Sequence, residues 1–383
     1  MYKPSLVVGI CLMIGGISTG STAADAGVVF MKTIGKHLYH EKVPVDATHN
    51  YYTSIEGPSW ENNYCCWRTY LDQDNRNCVD ITGKKRYEPT LAHYDEPNAD
   101  VHAIHNWGTD VLVVGSTLGL GAFRIQYGDQ TWRNPQLGID IDSLVVDLID
   151  TTYDSPKFQI AYWGWRITSS AKINAFWTLE TKKEMRSTMA ELKIDGPLNN
   201  NTKVIIGMTK NSGVRYIEDK ENHNIITLGV QTEVNDSLMM ALHADEKYFD
   251  SFTSNSAHYA IALKLDENQT AKWAFTQSWV QEPQPVFRKN GWQDELFSDL
   301  PPATGTAFEK SKFNVSDDNG SFISQSYPHE CIVFDLAGRA VSSAHSLRHQ
   351  NAGLQRMPKG YYLFRDMNNK QRVYNMPIVN TGN

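Results

Sequence analysis

The chain has almost no sustained helical periodicity. In 383 residues only Ser237–Leu242 and Trp292–Phe297 offer short helix candidates. Helical bundles are excluded, and so are folds in which strands alternate with helices. Basic charge is also short: 36 Lys and Arg face 43 Asp and Glu, for a formal charge of −7, and the basic residues form no stripe. That excludes nucleic acid as the main partner. No Gly-x-Ser-x-Gly elbow, P-loop or His-Glu-x-x-His pair occurs. GSTLGLG (115–121) lacks both dinucleotide-binding spacing and a following helix. No repeat of solenoid or propeller length is present. Cysteine is scarce at five residues, and no second Cys or His pair stands at zinc spacing.

Long apolar runs are missing too, with one N-terminal exception. Lys3, the apolar stretch Leu6–Ile17 and the small residues of STGSTAADAG follow the order of a secretory signal peptide, with cleavage near Ala23 or Ala24. The run is short for a membrane span. Residues 1–24 are therefore expected to be a signal peptide, and the mature chain a soluble periplasmic or secreted protein. An oxidising compartment allows a disulfide from Cys65 or Cys66 to Cys78.

What is abundant is strand. Val111–Val114, Ser143–Ile149, Phe158–Trp163, Ala171–Thr178, Lys203–Met208, Ile225–Val230 and Tyr259–Lys264 are rich in β-branched and aromatic residues and bounded by turn formers. KINAFWTLE (172–180) and HYAIALKL (258–265) alternate apolar with polar residues, as on a half-buried sheet. The expected fold is all-β, built of packed antiparallel sheets. A boundary falls near residue 300, where Pro301, Pro302 and Gly305 precede a polar stretch. The expected organisation is a main β-domain over 25–305, then a linker and small β-module over 306–383.

One segment stands out. Trp107 to Gly121 reads WGTDVLVVGSTLGLG: an aromatic and a carboxylate in a turn, an apolar run, then Gly115, Gly119 and Gly121. Such a turn suits a site that grips a polar ring. A strand followed by a glycine-rich bend explains the same residues.

Two segments carry a family resemblance. GPSWENNYCCWRTYLDQDNRNCVDITGKK (57–85) and VHAIHNWGTDVLVVGSTLGLGAF (101–123) resemble DUF4861. That pattern has Trp-Glu-Asn and Arg-x-Tyr, here Trp60, Glu61, Asn62, Arg68 and Tyr70. It then has a His ahead of Trp-Gly-x-Asp, here His102, Trp107, Gly108 and Asp110. Thr109 stands where Met is usual, and Ala103 where an acidic partner for His102 is expected. The resemblance implies a galactose-mutarotase-like antiparallel β-supersandwich and a link to pectin and other acidic glycans. The tail, through Asp335, Gly338, Arg339, Gly360 and Tyr362, resembles a type IX secretion sorting module.

An acidic sugar needs a cation, and Arg meets a carboxylate bidentately; Arg68 is first, then Arg166 or Arg124. It needs an acid or base near neutral pH; His102 leads, with His105, His93 and His258 behind it. It needs a platform for the pyranose; Trp60, Trp107, Tyr162 and Trp165 are candidates. In a β-elimination Arg68 or Asn62 neutralises the uronate, and His102, Tyr162 or Tyr70 moves the proton. A hydrolase or mutarotase would instead use a carboxyl pair, Glu61 and Asp110. A non-catalytic glycan-binding protein needs only the aromatics and Arg68. The lyase is the leading expectation. No cofactor is expected, although calcium is a candidate for Asp72, Asp74, Asn75 and Asn77, or for Asp140 and Asp142. The oligomeric state is not legible.

Overall fold

The structure is a computed structural model. It describes residues 27–33, 36–44, 55–71, 77–95, 100–128, 135–169, 171–289 and 291–300, together with the backbone of four C-terminal strands. Residues 1–24, the Asp72–Asn75 stretch, and Asp335, Gly338 and Arg339 lie outside the described residues.

The fold is an antiparallel β-sandwich. Its largest sheet has nine strands in the order Arg215–Asp219, Asn224–Val230, Ser237–Ala244, Thr270–Trp279, Thr188–Asp195, Lys172–Glu180, Lys157–Arg166, Ser143–Asp150 and His40–Lys42. A four-stranded sheet runs Phe249–Ser254, His258–Leu263, Lys203–Thr209 and Leu120–Gln126. A five-stranded sheet carries β1 (Val28–Val29), β2 (Ser59–Glu61), β3 (Cys66–Thr69), β4 (Val79–Lys84) and β5 (Gly108–Asp110), in that order. The pairs within these sheets are antiparallel. One core joins the three sheets. Trp60, Trp67 and Ile81 meet Phe123, Val204 and Ile261, and also Trp177, Leu192 and Phe275. Burial of this apolar surface is the main driving force for the fold.

Six of the seven expected strands form, with bounds shifted by a few residues. Val111–Val114 does not: the chain leaves the sheet after Asp110, and Val113 is 55% exposed. Ser237–Leu242 is strand rather than helix. Its near-continuous apolar run is buried on both faces of a central strand, a pattern that periodicity cannot separate from a buried helix. Trp292–Glu295 is a single helical turn. No described helix is long and apolar enough to cross a membrane.

Cys65, Cys66 and Cys78 are buried thiols, not the expected disulfide. Adjacent residues of an extended chain face opposite ways. Cys65 joins the main core and donates to the Gln277 carbonyl at 3.3 Å, while Cys66 joins a second, smaller core. Burial pushes the Cys65 thiol up to about 12. In the tail, Ala340–His345, Glu330–Phe334, Gly360–Asp366 and Val373–Ile378 pair in that order as an antiparallel sheet.

Candidate active site

Strand alternation organises the five-stranded sheet. Cross-strand partners share a face. Ser59 pairs with Arg68, Arg68 with Asp80, Cys66 with both Glu61 and Thr82, and Thr82 with Asp110. These residues therefore form one buried polar face, while Trp60, Trp67, Val79 and Ile81 point into the main core. Gly108 makes the edge strand possible. Its φ is +147°, and a Cβ there would lie 1.8 Å from the Gly83 carbonyl oxygen. Close approach of β5 to β4 sets Asp110 beside Thr82.

Arg68 centres a charged cluster on this face. Its Nε and Nη2 donate to Asp80 Oδ2 at 3.3 and 2.9 Å, and Nη2 also donates to Tyr70 Oη and to Asp110 Oδ2. Glu56 Oε2 lies 3.6 Å from Nη1. Tyr70 Oη donates to Asp80 Oδ2 at 2.6 Å. The rings of Tyr70 and Tyr94 flank the guanidinium.

Asp110 is 1% exposed, and its Oδ1 has no hydrogen-bond partner among the described residues. Burial drives its carboxyl well above the usual carboxylate range. Arg68 pulls it down, and Asp80, Glu233 and Glu56 push it further up. Burial also pushes the Tyr70 and Tyr94 phenols far up, with nearby Asp80 and Asp110 adding to the rise.

His102 stands at the mouth, with its side chain 60% exposed. Its Nδ1 lies 2.9 Å from Glu233 Oε2 and 3.8 Å from Asp110 Oδ2. A carboxylate accepts, so Nδ1 is the donor to Glu233 and Nε2 is the ring nitrogen left for chemistry. Glu233 comes from the turn after Asn224–Val230. It is tied down by its own N–H on the Val111 carbonyl at 2.9 Å and by the Leu112–Thr232 bridge. The acidic partner expected next to His102 is thus supplied from 131 positions away.

These groups line a cleft of about 460 Å³, walled on another side by Leu112, Val113, Val114 and Gly115. Its lining combines five carboxyl side chains, an imidazole, a guanidinium and two phenols, a set that suits a polyhydroxylated ligand.

Residues 18–298 match the family model described as "Domain of unknown function (DUF4861)". The chain belongs to this family. Among curated proteins nothing matches it. Two solved structures are similar to it in part. "Putative kojibiose phosphorylase from human microbiome" is 12% identical with a TM-score of 0.40, covering 70% of this chain and 35% of that one. The α-galactosidase from Lactobacillus brevis is 10% identical with a TM-score of 0.29, covering 58% of this chain and 39% of that one. The chain spans little more than a third of the length of either.

Of the side chains singled out as site candidates in this DUF4861 member by sequence, Arg68, Tyr70, His102 and Asp110 converge on the cleft. The others lie elsewhere. Glu61 is sealed: it accepts from Lys84 Nζ at 2.8 Å, from the Thr90 and Leu91 N–H groups and from the Thr90 hydroxyl, pinning the start of the short 3₁₀ turn Leu91–Asp95. Asn62 folds the β2–β3 turn, accepting from the Tyr64 and Cys65 N–H groups and donating to Thr181 at 2.9 Å. Trp60 stacks on Trp67 in the core and donates to Thr188, so it offers no open face to a sugar. Tyr162 is fully buried with its hydroxyl on Asn77, and Trp165 packs beside it. Trp107 is clasped between His93 and His105 at 5.5 and 5.0 Å, away from the cleft lining.

The reserve cations and histidines are spent as well. Arg124 is buried with Nη1 on the Phe123 carbonyl, and burial lowers it to about 10. Arg166 pairs with Asp142 at the surface. His258 accepts from the Leu118 N–H, and burial lowers it to about 4. Of the residues named for calcium, Asn77 accepts from Tyr162, Asp140 from the Gln136 N–H, and Asp142 is held by Arg166 and Lys172. Among the described residues no three His, Cys, Asp or Glu side chains are arranged to hold a metal ion.

Glu56, Asp80, Tyr94, Asp100 and Glu233 line the cleft without having been singled out. Asp80 had a signal: it is the cross-strand partner of Arg68 in a hairpin.

Proposed function

We propose that the chain is an exported carbohydrate-active enzyme that cleaves a glycosidic bond by general acid–base catalysis. Asp110 is the acid. His102, oriented by Glu233, is the base. His102 Nε2 takes a proton from water as the water attacks the anomeric carbon, and Asp110 gives its proton to the leaving oxygen. Each such group typically contributes about 10² to 10⁴ in rate. The observation that carries this reading is Asp110 itself. It is a carboxyl sealed at 1% exposure and raised by that burial above the usual carboxylate range, with an oxygen unpartnered among the described residues, and His102 Nδ1 of a His–Glu pair lies 3.8 Å from its Oδ2.

The geometry supports a lyase less well. β-Elimination needs a cation turned toward the uronate, and Arg68 is enclosed by Asp80, Asp110 and Glu56. Its tyrosine bases fare no better: Tyr70 is pushed far up by burial and Tyr162 lies in the core. The export part of this reading is supported by the signal-like order of residues 1–24 and by the resemblance of the tail to a sorting module. Amino-terminal sequencing of the protein recovered from cell fractions tests that part.

The catalytic test is incubation of the full chain with neutral, amino and acidic oligosaccharides. New reducing ends should appear without a rise in ultraviolet absorbance, and Asp110→Asn should abolish them. An absorbance rise from a new conjugated double bond means β-elimination and overturns hydrolysis. Binding without turnover sinks the enzyme reading.

A further inference from the structure

We infer that the cleft selects a glycan bearing a positive charge, an amino sugar with a free ammonium group, over its neutral and uronate counterparts. The inference rests on the sugar-processing reading above and adds the charge of the substrate. Five carboxyl side chains line the cleft, namely Glu56, Asp80, Asp100, Asp110 and Glu233, against a single guanidinium. That guanidinium is not offered to a ligand. Asp80 and Asp110 hold Nη2, Glu56 faces Nη1, and Tyr70 and Tyr94 cover its flanks. Counting Asp110 as neutral still leaves more carboxyls than cations.

A uronate would bring a further negative charge into this surplus with no cation turned toward it. An ammonium would meet carboxyl oxygens both on the floor and at the rim, where Asp100 and Glu233 are partly open to solvent. Charge complementarity of this kind sets selectivity more than raw affinity. A second observation points to a ligand here. Asp110, 1% exposed and on the cleft wall, has an oxygen with no partner among the described residues. Buried polar atoms are rarely left so, and a ligand hydroxyl or amine would satisfy this one. The facing wall of Leu112, Val113 and Val114 is apolar, and Val113 is 55% exposed. One side of the cleft thus suits the apolar face of a pyranose and the other a cationic substituent.

The test is calorimetric titration of the full chain with four oligosaccharides of equal length: glucosamine, N-acetylglucosamine, glucose and galacturonate. Glucosamine oligomers should bind at least tenfold tighter than the N-acetylated and neutral ones. That advantage should shrink as salt is raised, and fall several-fold in Glu233→Gln and in Asp100→Asn, both surface positions that leave the core intact. Equal affinity for the amino and N-acetyl forms overturns the inference. So does no binding of the amino form, or a preference for galacturonate with or without added calcium. Selective binding of glucosamine oligomers with no new reducing ends removes the cleavage reading and leaves this inference standing.

Discussion

Two ion clusters share one face of the five-stranded sheet, and they are built to opposite ends. The Glu61–Lys84 pair balances one charge with one, and both side chains are fully sealed. Glu61 also collects hydrogen bonds from Thr90 and Leu91, so its oxygens are well satisfied. The Arg68 cluster sets Asp80, Asp110 and Glu56 around one guanidinium and opens onto the cleft. One of its oxygens has no partner among the described residues. Breaking a buried, matched and fully hydrogen-bonded pair is costly, whereas burial among surplus carboxyls, as at Asp110, raises a carboxyl above its ordinary range.

The contrast can be broken from either side. Lys84→Met leaves Glu61 buried without its counter-charge and should cost about 3–5 kcal/mol, read by denaturant unfolding. Asp110→Asn should cost little or even stabilise. Equal losses in the two variants would erase the distinction. In turnover the order reverses: Asp110→Asn should lower kcat by about 10² to 10⁴ with the folded state intact by circular dichroism. Glu233→Gln should lower kcat by about tenfold, by loosening His102, with an unchanged Tm; a drop in Tm would make Glu233 a structural residue instead.

The smallest effect is a slope. The Asp110 carboxyl is raised in the folded protein above its ordinary value of 3.8. The folded state therefore holds this proton more tightly than the unfolded chain does. Its contribution is fully present below that ordinary value and is lost as pH rises toward the raised one. The Tm of the unsubstituted protein should fall relative to that of Asp110→Asn as pH increases above about 4. A parallel pair of Tm curves would contradict the shift.

Much of the scaffold was legible because alternation and turn chemistry are local. KINAFWTLE became the strand Lys172–Glu180, and Arg68 and Asp110 reached the cleft from short motifs. The same alternation separates Trp60 from Glu61 and Trp67 from Arg68, but which face was core could not be read before the sheets were stacked. Glu61 and Arg68 share a face, and only the three-dimensional packing decides that the first is capped by the turn at 91–95 and the second lines the cleft. Glu233 carried no local mark at all. Its role depends on a turn reaching the loop after β5, a contact between distant parts of the chain.

That contact has a temporal meaning. A chain emerging from the ribosome carries Arg68, Asp80, His102 and Asp110 long before residue 233 exists. Domains generally fold as units during synthesis, and closing a long loop has an entropic cost that only later contacts repay. The carboxylate that meets the imidazole sits in the turn between the paired strands Asn224–Val230 and Ser237–Ala244. Fragments that end before residue 233 would carry Asp110 and His102 without the carboxylate that fixes the imidazole, so the complete cleft would be a late product of synthesis.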